Sequence, residues 1–404
     1  MQEHALYNQA IVIRIVLTRH YSKSKPSLGK VAILHFSPLE LYPPVQNFIQ
    51  ALAQAQCNHT VYVFTTTGIY NELDRFTISN SNIRIIRIGK SGPTINRWHR
   101  AWSYLLFYGG SFLYLCRLAP KRILYYETLS AFPAWLYRRF FNNKVEVLIH
   151  YHEYTTPEAY ENGMMLTRRF HHLEKWLYPQ AKWVSHTNEF RMQLFEKDIY
   201  PARIENPQIL PNYPPKAWFK MATDFNTPLK IVYIGSLSMD TMYTREFAKW
   251  VIAQKGMVEW HIYSYNISED AKLFLQSLSP GSIKLKDGLN YADLPQILQQ
   301  YNVGVILYTG HIPNYIYNAP NKLFEYLACG LDVWYPVQMK GIRPYNTVNE
   351  FPVVLPLDFL DLDDFNWKKA VSKEGHRLNN PSFFCEVALS LLVKSFCEEE
   401  AGGR

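Results

Sequence analysis

Short apolar or β-branched runs alternate with stretches of helical period from Lys30 onward. The series occurs twice, broken by a connector with four prolines in the eleven residues 205–215. Alternation of this kind specifies parallel strands linked by crossover helices, with both faces of each sheet covered. In the first series strands are expected at 31–36, 60–67, 83–88, 122–127, 145–152 and 182–186, with helices at 44–55, 97–118, 131–141, 165–178 and 190–197. In the second, strands are expected at 230–234, 259–264, 283–285, 303–307, 333–335 and 353–355, with helices at 244–253, 269–278, 291–300 and 322–328. A last apolar helix covers 383–396. The expected fold class is α/β, with two doubly wound Rossmann-like domains facing a central cleft. Its divisions are an extension over 1–29, a first domain over 30–213, a second over 214–380 and a C-terminal helix within 381–404. Ligands of such sheets bind at the carboxyl ends of the strands.

Of the 404 residues 48% are apolar and 15% aromatic, enough for two large cores, which excludes disorder for the chain as a whole. The cysteines, Cys57, Cys116, Cys329, Cys385 and Cys397, are odd in number, scattered and without a C-x-x-C pair. That argues against a disulfide scaffold or a cysteine zinc site and suits a reducing compartment. A net charge of +8 spread along the chain fits phosphate-bearing substrates or an anionic membrane surface, and no nucleic-acid partner is expected.

Two segments bear on targeting. Residues 11–17 are apolar but interrupted by Arg14, too short to span a bilayer and not followed by a small-residue cleavage site, so no export signal is expected. Residues 101–116 carry no charge between Arg100 and Arg117, yet Ser103, Gly109, Gly110 and Ser111 interrupt the run. A spanning helix needs about 20 apolar residues, so a buried or interfacial helix is expected instead. Arginine, lysine and aromatic residues mix at 97–100 and 121–122 in a way that suits a headgroup region. The expectation is a cytoplasmic protein with a peripheral contact to the inner face of a membrane.

The richest stretch is 318–333, Asn318-Ala319-Pro320-Asn321-Lys322-Leu323-Phe324-Glu325-Tyr326-Leu327-Ala328-Cys329-Gly330-Leu331-Asp332-Val333. Proline sits at a helix start, where its missing N–H is harmless, and Gly330 lies just past the end, where a left-handed residue is usual. Lys322 and Glu325 are three apart, hence on one face of the opening turns. A helix start with a lysine makes an anion site. A carboxylate one turn deeper can accept hydrogen bonds from vicinal hydroxyls, as an acidic residue does on a ribose. Phosphate beside ribose means a nucleotide; a solvated lysine–glutamate pair is the plain alternative.

The run Pro320-Asn321-Lys322-Leu323-Phe324-Glu325-Tyr326-Leu327-Ala328-Cys329-Gly330 resembles the donor-binding segment of GT-B fold glycosyltransferases, above all the retaining enzymes of family 4. Residues 209–212, 231–237, 301–305 and 383–396 resemble that family's interdomain strand, second-domain opening, strand before the donor helix and returning C-terminal helix. The resemblance implies transfer of a sugar, with retention of configuration, from a nucleoside-diphosphate donor to a glycan or lipid-linked glycan acceptor, in cell-surface polysaccharide synthesis. It implies that Glu325 holds the donor ribose, that Asn321, Lys322 and the helix start lie near the diphosphate, and that Gly235 and Ser236 let backbone approach the phosphates. Gly288 is similar to the loop that contacts the base. His152, followed by Glu153, resembles the histidine facing the transferred sugar, and both are the candidate catalytic residues; a structural strand-end histidine is the plain alternative.

Departures from the pattern are specific. The family's second glutamate, eight positions before Glu325, is replaced by Tyr317. The basic residues after the second-domain glycine are absent, and Arg245 is the nearest cation to take their place. The glycine-rich turn after the first strand is missing, with 37–44 reading Ser-Pro-Leu-Glu-Leu-Tyr-Pro-Pro. Serine, tyrosine and asparagine at 264–266 replace the glycines expected after the strand at 259–263. No cofactor and no metal is expected, because a helix start with a lysine can stabilise a departing diphosphate by preorganised charge. The acidic run 361–364 reads as a helix cap rather than a cation site. The alternatives are a nucleotide-sugar epimerase on the same fold and a catalytically inactive nucleotide-sugar-binding member.

Overall fold

The computed structural model describes residues 29–55, 57–68, 73–92, 95–202, 204–219, 228–278, 281–347, 351–371 and 383–397. The expected extension, apart from Gly29, lies outside the described residues.

The first sheet contains β1 (Lys30–Leu34), β2 (Thr60–Gly68), β3 (Ile83–Ser91), β4 (Arg122–Tyr126), β5 (Glu146–Tyr151), β6 (Trp183–His186) and β7 (Pro207–Ile209). Their order is β3-β2-β1-β4-β5-β6-β7, and every pairing is parallel. The second contains β8 (Leu229–Ile234), β9 (Val258–Ser264), β10 (Ile283–Asp287), β11 (Val303–Val305), β12 (Asp332–Pro336) and β13 (Val354–Leu357). Its order is β10-β9-β8-β11-β12-β13, again all parallel. Near-continuous apolar strands such as Val31-Ala32-Ile33-Leu34 are buried along their whole length, as a sheet covered on both faces requires. The order reverses at β1 in one sheet and at β8 in the other, which places a crevice at the carboxyl end of each.

The prolyl connector behaves as its composition predicts. Residues 207–209 add an edge strand, where proline's missing N–H is tolerated, before the chain crosses into the second sheet. The last apolar stretch forms two short helices, Cys385–Ala388 and Ser390–Cys397, rather than one. They return to the first domain. Leu389, Leu392 and Phe396 pack in its core with Val45, Phe48, Ile49 and Leu52, and the Phe48 and Phe396 rings meet edge to face at 5.7 Å.

This return corrects the cysteine reading, because Cys397 is brought to Cys57 and the two form a disulfide across 340 residues. Scatter in sequence carried no information about proximity in space. Cys116, Cys329 and Cys385 are free thiols. The acidic run is a second correction. Residues 361–364 form turns, and the following helix, Trp367–Ala370, is entered at Asn366 rather than from an aspartate. No group of metal-ligating side chains occurs among the described residues.

Candidate functional site

Two structural units meet at the carboxyl ends of the sheets. In the second domain the Asn321–Ala328 helix follows Pro320, whose ψ of 155° sets the helix start, and no side chain caps its opening turn. The helix is tied to β8 where the Ile234 N–H donates to the Tyr326 hydroxyl at 3.2 Å. Gly330, beyond its end, is left-handed at φ 75°.

Lys322 points back at β8. Its Nζ donates to the Tyr233 hydroxyl at 3.2 Å and lies over the Tyr233 and Tyr308 rings, 4.3 and 5.0 Å from their centroids. Gly235, directly after β8, has φ 126°, and a Cβ there would stand 3.1 Å from Lys322 Nζ. Glycine is needed for the backbone conformation and leaves the ammonium in close contact with the chain. The Gly235 N–H donates to the Tyr263 carbonyl at 3.0 Å, and the Ser236 carbonyl accepts from the Tyr233 hydroxyl at 2.6 Å. The turn is thus anchored on its own strands.

Glu325 is buried on the same helix, and burial raises its carboxyl pKa to about 7 although the Lys322 charge opposes the shift. No donor among the described residues bonds its carboxylate. Tyr291, close enough for Glu325 to act on its hydroxyl, accepts a hydrogen bond from Asn47 Nδ2 of the first domain at 3.1 Å.

The first domain contributes His152, one residue past β5. Its ring stacks on Tyr126 at 5.2 Å, and Nδ1 lies 3.3 Å from Asn212 Oδ1. Nε2 is buried with no hydrogen-bond partner. Burial lowers the imidazole pKa to about 4, Arg191 pushing the same way against the Asn212 bond, so the ring is neutral near pH 7. A narrow cleft lined by Asn47, Tyr126, His150, His152, Asn212 and Tyr213 runs beside it. Tyr213 in turn packs on Phe324 of the second-domain helix at 4.6 Å. Glu153 is exposed next to His152.

Three residues that sequence reasoning did not select complete the junction. Glu127, after β4, adopts φ 61°, strained for a glutamate, and its Oε1 accepts the His152 N–H at 2.6 Å. Burial and then the nearby Glu153 charge raise its pKa to about 8. The guanidinium of Arg191, fully buried, donates to the His152 carbonyl at 2.5 Å and, across the domains, to the Asn314 carbonyl and Oδ1 at 3.0 and 2.5 Å. Asn314 Oδ1 also accepts the Tyr154 N–H at 3.1 Å. Tyr315 stacks on Tyr308 at 5.0 Å, so contacts run unbroken from His152 through Arg191 and residues 314–315 to Tyr308 and Lys322. Glu127 alone left a trace in the sequence, as an acid ending an apolar strand.

Gly235, Ser236, Asn321, Lys322 and Glu325 therefore come together, and His152 and Glu153 lie on the facing domain. Gly288, after β10, is packed so tightly under the Tyr265 ring that a Cβ would collide with it. Arg245 stands apart: exposed, its guanidinium lies over the Phe274 ring at 4.7 Å on the outer helices rather than at the turn. Tyr317 uses its carbonyl to accept from Asn188 Nδ2 of the first domain at 2.8 Å. The position of the family's second glutamate is here an interdomain contact.

No protein-family model matches the sequence, and no curated protein matches it. Solved structures do. Sucrose-phosphate synthase from Thermosynechococcus elongatus aligns at 17% identity over 92% of this chain and 96% of that one, with a TM-score of 0.62. A glycosyltransferase from Rickettsia africae aligns at 9% identity over 92% and 95%, with a TM-score of 0.56. WaaG, a glycosyltransferase involved in lipopolysaccharide biosynthesis, aligns at 12% identity over 78% and 83%, with a TM-score of 0.52. With its two parallel sheets and returning C-terminal helices, the chain has the GT-B fold.

Proposed function

We propose that this chain is a metal-independent retaining glycosyltransferase that takes a sugar from a nucleoside diphosphate and delivers it to a glycan or lipid-linked glycan in cell-surface polysaccharide synthesis. The observation carrying this reading is the Gly235–Lys322–Glu325 arrangement. A buried ammonium against a glycine turn at an uncapped helix start suits a diphosphate, and a buried carboxylate without a donor on the same helix suits the two hydroxyls of a ribose.

On this reading Lys322 and the helix start take up the charge that develops on the departing diphosphate. Neutral His152 presents its unpartnered Nε2 toward the transferred sugar, and Arg191 positions it through the His152 carbonyl. The recess formed by Pro38, Glu40, Thr67, Gly68, Arg75 and Arg87, past the carboxyl ends of β1 and β2, suits the polar acceptor.

Calorimetric titration with UDP, GDP and ADP tests the donor site. At least one should bind, and Glu325→Ala should lower its affinity tenfold or more, the order expected for losing charge-assisted hydrogen bonds. Binding unchanged in that variant removes the donor assignment. Mass analysis of products with nucleotide sugars and lipid-linked acceptors then separates transfer from nucleotide binding alone.

A further inference from the structure

The Arg97–Leu118 helix has apolar side chains on two opposite faces. Phe107 and Leu115 are buried against the sheet. Trp98, Trp102, Leu105 and Leu113, spaced four, three and eight residues apart, form a second stripe that faces solvent, with Trp98 79% and Leu105 61% exposed. An isolated exposed leucine needs no explanation, but a continuous apolar surface does.

The neighbouring helices extend that surface. Ala131–Phe140 ends in exposed Phe140, followed by exposed Phe141, whose ring meets Phe112 of the long helix at 5.3 Å. Met165–Leu177 begins at exposed Met165, and Met164 before it accepts from the Tyr104 hydroxyl at 3.6 Å.

Charge on this layer has one sign. The three helices carry Arg97, Arg100, Arg117, Arg138, Arg139, Arg168, Arg169 and Lys175, and their only carboxylate, Glu174, is fully buried and bonded to Tyr151. Glu158 and Glu161 flank the layer on the preceding short helix. No helix among the described residues is long and apolar enough to cross a membrane.

We infer that this helical layer is a docking surface for an anionic lipid bilayer, with the exposed tryptophans, leucines and phenylalanines entering the headgroup boundary and the exposed arginines meeting lipid phosphates. Its geometry relative to the cleft gives the surface a use. The Arg97 end of the long helix follows β3, and Met164 follows β5, so both lie at the carboxyl edge of the sheet, the edge on which His152 sits. A bilayer held there would offer a lipid-linked group to the cleft mouth. The docking itself does not depend on the donor reading, and a chain with no transferase activity would still bind.

Sedimentation with vesicles tests it on the full chain. Wild type should pellet with phosphatidylcholine vesicles containing phosphatidylglycerol, pellet little with phosphatidylcholine alone, and be partly released by high salt, a condition that screens the arginines. Two variants, Trp98→Ser/Trp102→Ser and Arg168→Glu/Arg169→Glu, should each bind at least about tenfold more weakly. Leu273→Ser, at an exposed apolar residue of the second domain, should bind as wild type. Far-ultraviolet circular dichroism checks that the variants are folded. Wild type remaining in the supernatant, equal binding to neutral vesicles, or both variants pelleting like wild type would each overturn the inference. So would a dimer that dissociates in both variants without any vesicle binding, since the surface would then belong to a second copy.

Discussion

Lys322 Nζ stands 3.1 Å from the point that a Cβ on Gly235 would occupy. The lysine can swing away from a methyl group, but the backbone at φ 126° cannot accept a side chain without strain. Gly235→Ala should therefore lower stability by about 1–3 kcal/mol, seen as a lower Tm. Calorimetry should show weaker nucleoside diphosphate binding in the same variant. A Tm equal to wild type would show that the turn is not strained as described.

Glu325 makes a pH prediction of definite sign. Its pKa is about 7 in the folded chain against an ordinary value of 4.5, so between those pH values the native state holds a proton that the unfolded chain has released. The stability that this carboxyl contributes should fall as pH rises through that window, by an amount on the order of 3 kcal/mol. Glu127, raised to about 8, and Glu174, raised to about 7, contribute slopes of the same sign. Buried imidazoles such as His152, lowered to about 4, slope the other way. The informative quantity is thus the difference between wild type and Glu325→Gln in denaturant titrations on either side of that window. Wild type should lose stability relative to the variant as pH rises, and parallel curves would contradict the burial of this carboxylate.

His152 should separate chemistry from binding. Replacing it by glutamine keeps a neutral polar side chain in the pocket while removing the imidazole. Nucleoside diphosphate affinity should stay within a factor of about three, whereas kcat of the transfer reaction should drop by roughly 100-fold or more. A variant with wild-type kcat would reduce the residue to a structural role.

Asn314 joins the domains. Asn314→Ala removes the amide oxygen that the Arg191 guanidinium and the Tyr154 N–H share, leaving a buried cation short of a partner. A loss of roughly 1.5–3 kcal/mol is expected for a hydrogen bond to a charged group. Small-angle scattering should show a larger radius of gyration, because the Arg191–Asn314 hydrogen bonds help to hold the cleft closed. An unchanged radius would mean that the other interdomain contacts, Asn188–Tyr317, Asn47–Tyr291 and Asp74–Asn290 among them, suffice to hold the cleft.

The disulfide offers a test by reduction. Dithiothreitol should lower the Tm of wild type and leave Cys397→Ser unaffected, the variant starting from the reduced value. The expected loss is about 2–4 kcal/mol. Equal Tm values with and without reductant would show that the two sulfurs are not bonded in solution.

What was legible in the sequence was local or periodic. Both sheets follow from apolar runs that recur between helical stretches. The Lys322–Glu325 pair follows from three-residue spacing on one helix, and Gly330 from its place after that helix. What escaped was contact through space. Arg191 and Asn314 are 123 residues apart, Glu127 and His152 are 25 apart, and Cys57 and Cys397 are 340 apart. No periodicity encodes such meetings. Arg245 shows the converse: it is near Gly235 along the chain, yet its side chain lies over the Phe274 ring.

The return of Leu389, Leu392 and Phe396 onto Val45, Phe48 and Leu52 has an effect on biosynthesis. Residues 45–52 cannot seal their apolar surface until residues 389–396, made more than 300 residues later, have left the ribosome. Until then the patch destined for Phe396 remains uncovered on the nascent protein, a natural target for holding chaperones.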